Sequence, residues 1–299
     1  MKKLRTALAD NFVAYAFLAP ALIILVVGLV YPLVTTVQLS FLDWSMGTPW
    51  ESREFVGLKW FRKLWNDPDT WYSFWVTLKY GFWVVTIEMF LGTLLALALE
   101  RPIRGAALFR TAFIIPLMVS PIVVGLIWRY LFDARTGMIN YYLGQIGIEP
   151  ILWLADPDFA LMSLIITDIW QWTPFIFIIV LAGLQAIPSD VLEASKIDGA
   201  TWLQQTVLVK LPMIKSVLIV ALLMRIVDVY KVVEVVFILT EGGPGLETEL
   251  LALHVYKVAF NSQNLGYASA ISMLLLAIVT LLSIVVLTIS NPMKSKSDF

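Results

Sequence analysis

The sequence predicts an all-α integral membrane protein with six transmembrane helices and both chain ends in the cytoplasm. Hydrophobic residues make up 60% of the 299 residues and charged residues only 14%, which is not the balance of a soluble globular protein. Apolar stretches long enough for a spanning helix, which needs roughly 20 residues, recur along the chain. Lysine and arginine are more frequent in alternate loops, and this bias places both ends of the chain inside the cell.

The loops between these stretches are too short to bury a core of their own, so residues 1–299 are predicted to form a single membrane domain. The first apolar stretch is longer than the core of a signal peptide. It is interpreted as a spanning helix that Lys2, Lys3 and Arg5 anchor in the cytoplasm. The six helices are predicted at 12–36, 73–99, 109–132, 159–186, 213–238 and 267–290.

The outer segments are predicted to lie at the membrane surface. Residues 37–72 contain five tryptophans, which is typical of an aromatic belt with short surface helices. Residues 133–158 are rich in glycine and proline and are predicted to form turns and a short helix. A rigid reversal at 241–245 precedes a predicted surface helix near Thr248–Phe260, which carries the only histidine, His254.

The chain lacks the residue sets on which most enzymes depend. It has no cysteine, and a single histidine cannot build a histidine-based catalytic or metal site. It has no glycine-rich phosphate loop of the kind that binds ATP. Its basic residues are scattered and form no concentrated face for nucleic acid. We therefore predict no enzymatic activity, no catalytic residue, no metal site and no cofactor on this chain, with membrane lipids as its surroundings.

Residues 187–212 form a polar, loop-rich segment between two apolar stretches, and they are predicted to be exposed in the cytoplasm. Ser189 and Asp190 can cap a first short helix. Gly199 tolerates a positive φ and permits a sharp reversal there. A second helix is predicted over about 201–210, so the segment presents a helical knob to a partner.

Ionisable residues inside spanning helices are costly to bury and mark functional sites. The candidates of this kind that lie away from the ends of the predicted helices or cluster on the fifth helix are Glu88, Asp168, Arg225, Asp228, Lys231 and Glu234. Two interpretations of the four on the fifth helix remain open. Arg225 with Asp228, and Lys231 with Glu234, could form neutral pairs that hold helices together, or these residues could line a polar translocation path.

Asp168 and Trp172 are four residues apart and therefore lie on one face of the fourth helix. A carboxylate accepts hydrogen bonds from hydroxyl groups, and an aromatic ring packs against the apolar face of a sugar. The pair is therefore interpreted as a candidate carbohydrate contact, although a chain with 12 tryptophans also places some beside an aspartate by chance.

The segment Glu193-Ala194-Ser195-Lys196-Ile197-Asp198-Gly199, followed after nine residues by Val209-Lys210-Leu211-Pro212, resembles the EAA motif of ABC-transporter importer permeases. Ser195 stands where that motif usually has its second alanine, and Val209 where it has isoleucine. Segments 181–188, 239–244 and 256–270 resemble the carbohydrate-uptake branch, the maltose and glycerol-phosphate permease type. Within that branch, segments 239–244 and 256–270 are similar to the subunit related to the larger maltose permease component.

This resemblance implies a type I ABC importer permease fold in the bacterial inner membrane. It implies a second homologous permease subunit, two ATPase subunits that hold ATP and magnesium, and an extracytoplasmic solute-binding protein. It implies that the segment 187–212 is a coupling loop that contacts the ATPase. The implied coupling residues are Glu193, Ala194, Ser195, Lys196, Asp198, Gly199 and Ala200.

By the same resemblance, the solute passes along the third to fifth helices. The implied pathway residues are Asp168, Trp172, Asp228, Tyr230 and Lys231. The predicted function is that of a permease subunit, which forms half of the path for ATP-driven uptake of a sugar, polyol or related carbohydrate, neutral or anionic. The alternative is a self-sufficient secondary transporter or channel for a small polar solute, which would use the intramembrane charges as an ion relay.

Overall fold

The computed structural model describes residues 15, 17–100 and 105–290, and nearly all regular structure in them is helical. The predicted anchor residues Lys2, Lys3 and Arg5 lie outside the described residues. The chain divides into two compact units. One comprises the described residues of Met1–Asp67 and Val255–Leu274, and the other those of Pro68–His254 and Leu275–Phe299.

The first unit begins with α1, which runs over Phe17–Leu39 and includes a π-helical turn at Val26–Val30. Strands β1 (Leu42–Asp43) and β2 (Glu54–Phe55) then pair antiparallel, and helix α2 covers Lys59–Asn66. The Trp60 indole donates to the Leu42 carbonyl at 2.9 Å. No residue in the most apolar window of α1 is buried, so this chain leaves α1 open to lipid or to another subunit.

The second unit contains the remaining helices, two of which continue into the first unit. Their bounds are α3 Pro68–Leu99, α4 Ala106–Met118, α5 Pro121–Leu131, α6 Met138–Gln145, α7 Pro157–Gln185, α8 Ser189–Ile197, α9 Trp202–Met213, α10 Lys215–Val229, α11 Glu234–Leu239, α12 Leu251–Tyr256 and α13 Leu265–Ser290. A π-helical turn at Lys257–Asn261 follows α12.

Four helices are long and apolar enough to cross a membrane, namely α1, α3, α7 and α13. The described residues contain six spans if each of two bent pairs, α4 with α5 and α9 with α10, is one span. The prediction of continuous helices at 109–132 and 213–238 is wrong. The first is bent by 99° at Val119 and Ser120, because Pro121 pushes the preceding residue into an extended conformation.

The second bent pair turns by 67° at Ile214, and α10 ends at Val229 rather than 238. Helix α11 begins only at Glu234, after a break of four residues. Helical spacing therefore does not predict which charged side chains lie close together beyond Val229, where the helix ends.

Helices α3 and α7 form the main packing contact of the second unit. Gly92 makes it possible, because a Cβ there would lie 2.7 Å from the Ile176 side chain. Each of the two helices has a buried threonine whose hydroxyl donates to a carbonyl of its own helix. Thr77 donates to the Ser73 carbonyl at 2.6 Å, and Thr167 to the Ser163 carbonyl at 2.8 Å.

The predicted surface helix near Thr248–Phe260 is also corrected. Residues Leu251 to His254 of α12 are buried, because the apolar run 250–253 packs into the core. The His254 ring lies between two partners in the second unit. Its Nδ1 is 2.7 Å from Glu249 Oε1, and its Nε2 is 3.1 Å from Thr70 Oγ1.

Candidate functional site

An ion cluster joins three helices in the interior of the second unit. We define it as Tyr80 and Glu88 on α3, Asp168 on α7 and Arg225 on α10. The Arg225 guanidinium donates to Glu88 through Nε (2.6 Å to Oε2) and Nη2 (3.0 Å to Oε1). Its Nη2 also donates to Asp168 Oδ1 at 2.6 Å, and the Tyr80 hydroxyl donates to Asp168 Oδ2 at 2.5 Å. The cluster is at most 2% exposed, so each charge depends on its partners.

These contacts overturn the two ion pairs predicted within the fifth helix. Arg225 pairs with carboxylates of α3 and α7 rather than with Asp228, because a fork-shaped guanidinium reaches both across the helix interface. Lys231 pairs with Asp228 instead, at 2.7 Å. It does not pair with Glu234, because the helix has already ended between them.

A cavity of about 310 Å³ opens beside the cluster. It is lined by Pro121, Asp168, Gln171, Trp172, Arg225, Asp228, Lys231, Val232, Glu234 and Val235. Four predicted pathway residues, Asp168, Trp172, Asp228 and Lys231, are thus brought together on one surface. Tyr230 does not line the cavity. It is buried, and its ring packs against Gly81, where an added Cβ atom would come within 2.5 Å of the ring.

The cavity wall also contains polar residues that sequence reasoning left out of the path. Gln171 lies three residues after Asp168 and therefore on the same helix face, which was the available signal. Its Nε2 donates to the Val119 carbonyl at 3.2 Å, at the bend between α4 and α5. The Arg225 guanidinium carbon lies 5.0 Å from the centre of the Trp172 ring, which is a cation–π contact.

Two buried polar atoms of the wall have no hydrogen-bond partner within the part of the chain that the structure describes. They are Nη1 of Arg225, a donor, and Oε1 of Gln171, an acceptor. Unpaired buried polar groups are costly, so a donor and an acceptor left open beside one cavity indicate a place for a ligand or for water.

The coupling loop (residues 187–212) has the predicted helix, turn and helix. Helix α8 ends at Ile197, and Gly199 takes a φ of +79°, where a residue with a side chain would be strained. The Ala200 amide then donates to the Ser195 carbonyl at 3.0 Å. Five of the implied coupling residues are exposed, namely Glu193, Ala194, Lys196, Asp198 and Gly199, while Ser195 and Ala200 are half-buried.

The predicted cap of α8 is not formed. No side chain caps its first turn, and the Ser189 hydroxyl donates to Asp190 instead at 3.2 Å. The side-chain cap lies on the next helix, where Thr201 and Gln204 form a reciprocal capping box. The predicted second helix is present as α9.

An ion pair between Lys210 and Glu100 ties the coupling loop to the end of α3. The two side chains are only 5% and 12% exposed. A second cavity of about 310 Å³ lies beside this pair, with Leu192 and Lys196 of α8 in its wall. The base of the loop is therefore held by a largely buried charge pair, while its tip is exposed.

Among the described residues, no group of three or more histidine, aspartate or glutamate side chains is arranged to hold a metal ion.

The comparisons with known proteins identify the family. A family model described as the binding-protein-dependent transport system inner membrane component matches residues 88–293. The chain belongs to this family. Its members are components of a transport system, so the alternative of a self-sufficient transporter is set aside, and the predicted importer permease is confirmed.

Curated relatives match most of the chain. It is 36% identical over 276 residues to the trehalose/maltose transport system permease protein MalF of Thermococcus litoralis. That alignment covers 88% of this chain and 92% of MalF. It is 32% identical over 273 residues to the sulfoquinovosyl glycerol transport system permease protein SmoG of Agrobacterium fabrum, which covers 91% of this chain and 88% of that protein.

A solved structure has the same fold. It is the crystal structure of a bacterial ABC transporter involved in the import of the acidic polysaccharide alginate. The match has a TM-score of 0.84 at 21% identity and covers 97% of this chain and 99% of that chain. The predicted importer permease fold is confirmed by this likeness.

Proposed function

We propose that this chain forms half of the membrane path of an ATP-driven importer for a sugar, a polyol or a related carbohydrate. The names of the relatives support this solute class, since both MalF and SmoG are named for sugar-containing solutes. The cavity supports it as well. It combines the ring of Trp172 with the polar atoms of Gln171 and Arg225, and a sugar presents both apolar faces and hydroxyl groups.

The coupling loop is proposed to receive the movement of an ATPase subunit, on which ATP and magnesium are held. The observation that carries this proposal is a motif-bearing helix that is exposed at its tip and anchored at its base. Ile197 is 86% exposed at the end of α8, and an apolar side chain so exposed on a polar loop is suited to burial by a partner. The Lys210–Glu100 pair gives the movement a path into α3.

The remaining subunits and the orientation follow from this assignment. We propose that residues 1–299 form one membrane domain of the bacterial inner membrane, with both chain ends and the coupling loop in the cytoplasm. A second, homologous permease subunit would complete the path, and a solute-binding protein would deliver the solute on the outer side. Asp168, Trp172, Asp228 and Lys231 would line the path, with Tyr230 packed behind it.

Reversing one charge on the coupling loop tests the proposal. In the complete transporter in liposomes, Glu193→Lys is expected to lower binding-protein-stimulated ATP hydrolysis at least about fivefold. The substitution places a positive charge at the proposed ATPase contact, where the native residue has a carboxylate. The matched control is Glu149→Lys, which makes the same change at an exposed residue of the loop between α6 and α7. Full stimulation in an intact Glu193→Lys complex would contradict the coupling role.

A further inference from the structure

We infer that the cavity beside the ion cluster accepts a neutral polyhydroxy solute and selects against anionic ones. The inference rests on the proposed uptake function and narrows its solute class. The names of the relatives do not fix the charge of the solute, whereas the charges around this cavity can be counted.

The charges around the cavity sum to a negative value. Two cations, Arg225 and Lys231, stand at the cavity. Against them stand four carboxylates, three in the cavity wall (Asp168, Asp228 and Glu234) and one, Glu88, bonded directly to Arg225. If one carboxyl of the cluster carries a proton, three negative charges still face two positive ones. An anionic solute would therefore enter a site of its own sign, where solvent screens the exposed Glu234 and the exposed Lys231 alike.

Both cations at the cavity already form ion pairs within the chain. Arg225 is bonded to two carboxylates, and these partners cancel the field that would otherwise draw an anion. Lys231 pairs with Asp228, and its side chain is 65% exposed, so solvent screens what remains of its charge. Neither cation keeps an uncompensated charge for the carboxylate or sulfonate of a buried solute, and Nη1 of Arg225 remains open only as a hydrogen-bond donor.

Two residues of the cavity wall each have one hydrogen-bonding atom without a partner among the described residues. Nη1 of Arg225 can donate and Oε1 of Gln171 can accept, and both atoms are buried and unpartnered among the described residues. The Val119 carbonyl fixes which end of the Gln171 amide is free, because it needs the N–H donor of Nε2. A hydroxyl group both donates and accepts, so it satisfies such a pair. A deprotonated carboxylate only accepts and would leave Oε1 of Gln171 unpaired.

The ring of Trp172 supplies the remaining element. It is half-buried, lines the same cavity and stacks near Arg225, so one face of the solute can pack on an apolar surface while its hydroxyl groups reach the polar atoms. Donor, acceptor and ring together fit an uncharged sugar or polyol.

Matched neutral and anionic probes test the inference on the assembled transporter. Binding is measured without the solute-binding protein, on the complete permease–ATPase complex in lipid nanodiscs, by saturation-transfer NMR. The probes are methyl glucoside against methyl glucuronide, and maltitol against maltobionate, which share an open-chain unit and differ in charge. The neutral member of a pair is expected to bind at least about tenfold more tightly, because it avoids the repulsion of the excess carboxylates.

A change of charge in the wall shows whether the cavity itself makes this selection. Glu234→Lys is expected to reduce the neutral-over-anionic preference about tenfold, and the milder Glu234→Gln to reduce it less in the same direction. Glu149→Lys, far along the chain and outside the cavity wall, is expected to leave the preference unchanged.

Equal or tighter binding of the anionic probes, or no binding of the neutral ones, would overturn the inference, as would a preference that Glu234→Lys does not alter. The proposed function has a separate readout in ATP-driven uptake by liposomes containing all subunits. Uptake confined to an anionic solute would overturn the inference alone, whereas no ATP-driven uptake of any sugar or polyol would overturn the proposed function with it.

Discussion

The ion cluster and the coupling loop are both polar regions of an apolar chain, yet they lie in opposite surroundings. In the cluster, Glu88, Asp168 and Arg225 are at most 2% exposed, and every contact between them joins one helix to another. In the loop, Glu193 faces solvent and Ile197 is 86% exposed. A buried charge is tolerated only while its partners stay in place, whereas an exposed group is free to be covered by another molecule.

This difference in burial indicates that the cluster holds helices together, whereas the loop is open to contact with another subunit. The cluster fixes three helices against one another and leaves one donor of Arg225 for the cavity. The loop makes little use of its exposed residues within the described part of this chain, and the ion pair of Lys210 and Glu100 holds its base. Substitutions should therefore damage stability in the cluster and damage coupling in the loop.

The largest loss of stability is expected for Arg225→Met. It leaves two carboxylates buried without their cation, which costs about 3–5 kcal/mol of the free energy of unfolding. Chemical denaturation of the purified complex in detergent measures this. The matched control is Arg129→Met, at an exposed arginine whose guanidinium donates to the Ile238 carbonyl at 3.0 Å, where a loss within about 0.5 kcal/mol is expected.

The account of the cluster also predicts a rescue. Adding Glu88→Gln to Arg225→Met removes one of the stranded charges and should recover part of the lost stability. A double variant as unstable as the sum of both single variants would show that these residues do not act as a pair.

A smaller loss is expected for Lys210→Met at the base of the loop. It leaves the largely buried Glu100 carboxylate without its partner, at a cost of about 1–3 kcal/mol. The same denaturation experiment measures it, and ATP hydrolysis by the complex reports on coupling. Adding Glu100→Gln should restore stability but not coupling, since the tie to α3 stays broken. Recovered coupling in the double variant would contradict the role given to this pair.

The two regions also differ in what the sequence could reveal. The coupling loop was predicted with its glycine turn and its exposure, because the motif and its spacing are local and Gly199 has one conformational role. The partners of Arg225 lie 57 and 137 residues away, and no helical spacing connects them. Spacing instead suggested Asp228, which is on the same helix but is not its partner.

The helix bounds and the cavity residues show the same contrast between local sequence signals, which are readable, and long-range contacts, which are not. Helices α7 and α13 begin and end within two residues of their predicted bounds, because one unbroken helix covers each of these apolar stretches. The bend at Val119 and Ser120 was missed, since the apolar stretch continues across a two-residue break and only Pro121 hinted at it. Asp168 and Trp172 lie together in the cavity wall because they share a helix face, as their spacing predicts. Asp228 and Lys231 come from the end of α10 and the break after it, and the resemblance rather than spacing indicated them, whereas Tyr230 faces the core.

The smallest effect on stability, within about 0.5 kcal/mol, is expected for Ile197→Cys at the exposed tip of the coupling loop. This variant also tests most directly the central claim, that the coupling loop contacts the ATPase. The chain has no cysteine of its own, so a benzophenone-maleimide photo-crosslinker attaches at that position alone on this subunit. The matched control is Ile148→Cys, an exposed apolar residue between α6 and α7 that the proposed orientation assigns to the opposite side of the membrane.

Irradiation of the complete transporter, followed by mass spectrometry of the adducts, gives the answer. The account predicts that position 197 crosslinks to the ATPase subunit and that position 148 does not. A transporter that hydrolyses ATP but yields no ATPase adduct from position 197, or yields one from position 148 instead, would contradict it.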